Sequence, residues 1–153
     1  MAETETAVRR DRRERSRWVD AAIAGLAGGL VFGLYLQFVV GVLPPRATAD
    51  GVGSLALDWA VHLFHSLVFA VVYAELVGWP RLARYADRAG TGAIVGAGYG
   101  VVLWGVATLV VMAFWAVANT VWVLPIPGLN LGSLVGHLLY GVVLGVVFAA
   151  VRR

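Results

Sequence analysis

The chain has 153 residues, of which 60% are apolar and 14% charged, and its net charge is +3. A soluble domain runs to roughly 45–50% apolar and about 25% charged, and a chain this small has too little interior to hide the excess. Disorder is excluded too, because it needs few apolar residues and much charge. A mean hydropathy of +0.81 assigns the chain to the integral membrane class. Cysteine is absent, which rules out disulfides, thiolate metal sites and thiol nucleophiles. All twelve basic residues are arginine, which rules out a Schiff-base or P-loop lysine.

In chain order, residues 1–20 form an Arg-rich tail with Arg9, Arg10, Arg12, Arg13, Arg15 and Arg17. The tail has no aromatic interleaving, and Asp11 and Glu14 interrupt its arginines, so nucleic acid is not an expected partner. Residues 21–153 are the membrane domain, with apolar stretches over about 21–43, 55–77, 92–119 and 131–151. Each is long enough for a helical crossing of about 20 residues. Lipid offers the backbone no hydrogen-bond partner, and the stretches lack the alternation of barrel strands, so each is expected to be a helix. Pro44-Pro45 closes the first stretch, Gly78-Trp79-Pro80 the second, and Pro125 and Pro127 lie in the third connection. The expected fold class is all-α: a four-helix transmembrane bundle.

Eleven of the twelve arginines lie in the tail, in the connection carrying Arg81, Arg84 and Arg88, or at Arg152-Arg153; Arg46 alone lies on the other side. This asymmetry predicts a multi-pass protein of the cell membrane with both termini cytoplasmic. The charge is then explained by topology and by anionic headgroups of the bilayer. Ala47-Thr48-Ala49 has the look of a signal-peptide cleavage site, but the apolar run before it is too long for such a peptide.

The second and fourth stretches align without gaps at an offset of 75, pairing His62-Leu63 with His137-Leu138, Val71-Val72 with Val146-Val147 and Ala74 with Ala149. The first and third align at an offset of 71, pairing Ala22-Ile23 with Ala93-Ile94, Gly25 with Gly96 and Gly29 with Gly100. A duplicated hairpin follows, with its two copies related by a pseudo-two-fold along the membrane normal. Small residues also recur every four positions, at Gly25, Gly29 and Gly33, at Gly96 and Gly100, and at Gly141 and Gly145. Such stripes let helix backbones approach closely. Within one chain they pack the bundle; between chains they would pack a homo-oligomer.

Polar groups inside spans are costly, so each is a candidate site. His62 and His137 lead, being equivalent in the repeat. Asp58 precedes His62 by one turn and Ser133 precedes His137 by one turn, each placed to accept a ring N–H. His65, three residues on, points to one side of the His62 stripe at helical spacing, and Tyr140 is its repeat equivalent. Glu75, near a helix end, is expected to reach the headgroups or to pair with Arg81 or Arg84, and Gln37, Asn119, Thr120 and Asn130 to cap loops or line a vestibule. Trp79, Trp115 and Trp122 suit the interface. Three readings stand: proton or ion handling through His62, His137 and Asp58; ligation of haem or a metal by His62 and His137; or histidines that only lock helix register. No catalytic motif is present, no cofactor is required, and a metal site would have only three histidines and one carboxylate.

Val61 to Ser66, the Pro-x-Pro-x-Leu-Asn segment from Pro125 to Asn130, and Ser133 to Gly141 together resemble a family of small four-helix membrane proteins from halophilic archaea. The resemblance covers about residues 21–151. It implies a four-helix membrane fold and no particular activity. Members are often labelled histidine kinase. This chain lacks the dimerisation and ATP-binding domains of a kinase, so a non-enzymatic role is expected.

Overall fold

A computed structural model describes residues 2–41, 52–118 and 131–152. Among them the chain is helical with no strand. Helix α1 runs from Ala2 to Tyr35, α2 from Val52 to Val77, α3 from Pro80 to Ala86, α4 from Ala89 to Ala118 and α5 from Leu131 to Val151. Four segments are long and apolar enough to cross a membrane: Ser16–Val40, Leu55–Val77, Ala89–Val110 and Leu131–Val151. The Arg-rich tail is continuous with α1 rather than separated from it by a break. Good helix formers in that stretch favour the continuation.

Helix α1 stops before the expected proline pair. It widens into a π-helical turn over Leu36–Val40 and closes on Gly41, whose φ of 72° is left-handed and whose N–H returns to the Leu36 carbonyl. A glycine just past the last turn is the residue that accepts that conformation without a Cβ clash. Pro44, Pro45, Arg46, Asn119, Thr120, Asn130 and the connection over residues 121–127 lie outside the described residues, as do the side chains of Trp115 and Trp122. Within the arginine-bearing connection, Pro80 at the first helical position starts the short α3.

The bundle is built small-side-in. Helix α1 packs against α2 and α5, and α5 packs against α4. Ala21, Ala24, Ala70, Ala74 and Ala149 are buried, while Phe38, Ile94, Leu109 and Leu131 are turned outward. In water this outward apolar surface would cause association. In lipid it costs nothing, and close backbone packing supplies the attraction between helices. The closest approach is α4 against α5: a Cβ on Gly96 would meet the Gly141 carbonyl, and one on Gly100 the His137 carbonyl. On α1, the glycine stripe meets α2 instead, with Gly25 against Ala70, Gly29 against Ser66 and Gly33 against Trp59 and His62. The glycine stripes are thus covered within the chain. At the arginine-rich end, Arg17 pairs with Glu75 at 2.7 Å and Arg152 with Asp87 at 3.5 Å. Glu75 is therefore tied to α1, not to the arginines that follow it in sequence, because the helix packing brings Arg17 over its last turn.

Candidate functional site

Helical spacing on α2 puts Asp58, His62 and Ser66 on one stripe and His65 beside it, while α5 carries Ser133, His137 and Tyr140. Packing of α1 between α2 and α5 brings part of this set together. A cavity of about 60 Å³ lies among the spans, with His62, His65, Ser66, His137 and Tyr140 as its polar lining. Phe32 from α1, Phe69 from α2 and Leu103 from α4 complete the wall.

Every polar side chain of the lining has a main-chain carbonyl as partner. His62 Nε2 lies 2.9 Å from the Gly29 carbonyl across the α1–α2 contact. His65 Nδ1 lies 2.8 Å from the Val61 carbonyl, and His137 Nδ1 2.7 Å from the Ser133 carbonyl. The Ser66 hydroxyl donates to the His62 carbonyl at 2.9 Å, and the buried Tyr140 hydroxyl donates to the Ser66 carbonyl at 2.6 Å. Two sequence expectations change here. Asp58 is exposed and does not line the cavity; His62 turns its Nε2 to Gly29, because the glycine stripe brings that carbonyl within reach. Ser133 does serve His137, but with its carbonyl and not its hydroxyl, since the helix already presents that oxygen one turn away. His65 is exposed and still lines the cavity.

Phe32 packs against both leading imidazoles, with ring centroids 5.4 Å from His62 and 4.9 Å from His137. The Phe32 ring lies over the backbone of Gly136, where any Cβ would collide with it. On the side of the α1 terminus, the Trp59 indole packs edge-on to His62 at 5.9 Å and donates to Gln37 Oε1 at 2.9 Å. Gln37 sits in the π-helical turn, a distortion often found beside sites. On the opposite side, the Tyr99 hydroxyl donates to the Phe69 carbonyl at 2.7 Å, and Tyr73 packs against Tyr99 and Phe148 at 5.3 and 5.6 Å. Tyr73, Tyr99 and Phe148 belong to the buried core and do not line the cavity.

The residues do not fit a porphyrin held between His62 and His137. Phe32 fills the contact to both rings, and ligand sites for larger organic groups run to roughly 300–1,000 Å³. Among the described residues no three His, Asp or Glu side chains converge on one metal position. Sequence reasoning missed Phe32, Phe69 and Leu103 as parts of the lining. Ser66 follows His62 by one turn on the same stripe. Phe32 carried no signal, because an aromatic residue in an apolar span looks like any other. Comparison of the chain with protein-family models, curated proteins and solved structures finds no match.

Proposed function

We propose that the chain is a non-enzymatic multi-pass protein of the cell membrane, with both termini cytoplasmic, that takes up a proton at a histidine pocket within its bundle. The observation that carries this reading is the convergence of His62, His65 and His137 on one small cavity between spanning helices. Histidine is the side chain whose ordinary charge change falls in the physiological range, and ionisable groups inside a membrane mark ion or proton handling by default. Asp58 lies one turn from His62 toward the Gly41 end and is the way in from that side. The pocket then has histidines from α2 and His137 and Tyr140 from α5 as its titratable lining; α1 and α4 contribute Phe32 and Leu103.

The same reading includes the duplicated hairpin and the family resemblance. The helix contacts support the duplication in one respect. Gly25 meets the Ser66 carbonyl and Ala70; their equivalents at offsets of 71 and 75 are Gly96 with the Gly141 carbonyl and Gly145, which also meet.

Proteoliposomes with a trapped pH dye test the proposal. Wild-type protein dissipates a pH gradient faster than empty vesicles, and His137→Gln or His62→Gln reduces that rate by about tenfold. Flux equal to that of empty vesicles, together with imidazoles that do not titrate between about pH 5 and 8, would overturn it. A second reading is favoured by the bond of His62 to the Gly29 carbonyl, which ties α2 to α1. In that reading the histidines are register locks, and His62→Gln lowers the unfolding midpoint in detergent while leaving no flux to lose.

A further inference from the structure

The hydrogen-bond partners of the pocket determine which hydrogens it has left to offer. A carbonyl oxygen only accepts, so a ring nitrogen bonded to one must carry the hydrogen. The Gly29, Val61 and Ser133 carbonyls therefore make His62 the Nε2–H form and make His65 and His137 Nδ1–H forms. A neutral imidazole has one donor and one acceptor. His62 Nδ1, His65 Nε2 and His137 Nε2 are then bare lone pairs. Ser66 and Tyr140 have likewise committed their hydroxyl hydrogens to the His62 and Ser66 carbonyls. All five polar side chains of the lining have used their donor hydrogens on main chain, and what remains to them is acceptors.

Resting on the histidine pocket proposed above, we infer that its ligand is a small cation that donates N–H hydrogen bonds, ammonium or methylammonium. An anion or a carbonyl compound would meet lone pairs with no hydrogen to share. A divalent metal needs several ligand atoms converging on one point, and the described residues hold no such group. The cavity of about 60 Å³ takes a water-sized species. Phe32 and Phe69 complete the wall with aromatic rings, packed against His62 and His137 and against His65 respectively. Protonation and ammonium binding exclude one another at each nitrogen, because a protonated imidazole has no lone pair.

The test uses the full chain in detergent, labelled with ¹⁵N at histidine, and titrates it with ammonium chloride or potassium chloride at equal ionic strength. Potassium has the same charge and a similar size and carries no hydrogen. At about pH 8, where free imidazole is neutral, ammonium shifts the side-chain nitrogens of His137 and His62 saturably and potassium leaves them in place. Wherever a ring takes up a proton its ammonium response is lost, because a protonated imidazole has no lone pair to offer. His137→Phe abolishes the response of His62 if the variant folds; the wild-type comparison of the two salts stands without it. Equal shifts with both salts would overturn the inference in favour of a general cation effect. Imidazoles that titrate with protons but ignore ammonium would overturn it and leave the proton pocket intact. Imidazoles that do neither would overturn both.

Discussion

The α4–α5 contact and the α1–α2 contact use the same device for different ends. Both place glycines spaced four apart against a neighbouring helix. On the α4–α5 side, Gly96 and Gly100 meet only backbone, at Gly141 and His137. On the α1–α2 side, Gly29 and Gly33 meet the side chains of Ser66, Trp59 and His62. The room freed by the missing Cβ is filled by backbone in one contact and by polar side chains in the other. Gly141 faces Gly96 where Ser66 faces Gly29, so one contact is backbone on backbone and the other carries a hydroxyl. Close packing is thus a requirement in one half and a way of holding a site in the other.

The largest expected effect breaks the dry contact. Gly141→Ala drives a Cβ into the Gly96 carbonyl, and neither helix backbone can yield without moving the other. The expected loss of stability is about 2–3 kcal/mol, read as a lowered unfolding midpoint in detergent. Gly98→Ala is the control: nothing lies within 4 Å of its Cβ position, so better helix propensity leaves stability unchanged or raises it by up to about 1 kcal/mol. Gly29→Ala falls between these two, because it meets the side chain of Ser66 and not backbone. A loss at Gly98 equal to that at Gly141 would mean that the glycines are not distinguished by packing.

An intermediate effect sharpens the comparison from the polar side. Tyr140→Phe removes the hydrogen bond to the Ser66 carbonyl, and Tyr99→Phe removes the one to the Phe69 carbonyl. Each is expected to lower stability by about 1 kcal/mol. Both act on α2, so together they loosen α2 from α4 and α5 while the α4–α5 glycines stay in contact; hydrogen exchange that rises along α2 and not along α5 would show it. The smallest effect is at the arginine-rich end. Arg17 and Glu75 are partly exposed, so Arg17→Ala costs at most about 1 kcal/mol and the loss shrinks in high salt. A larger, salt-independent loss would mean that the pair acts as a buried one.

Composition and local spacing determined the class and the number of spans. An excess of apolar residues over what a small interior can hide, cut by arginines and prolines, leaves four stretches of spanning length, and each becomes a helix because lipid satisfies no backbone group. The four-residue glycine stripes were also legible, since helical period is a property of each segment alone. Other outcomes depended on how the helices are rotated against one another. No local pattern announces that Glu75 pairs with Arg17, that Phe32 fills the place between two imidazoles, or that Asp58 is left out of the cavity. The tautomer of His62 belongs here as well. It follows from which carbonyl comes within reach, and that carbonyl is brought by another helix, Gly29 of α1. His65, His137 and Ser66 find carbonyls one turn back in their own helices, a local outcome, whereas the partners of His62 and Tyr140 were assigned only when tertiary packing brought the helices together.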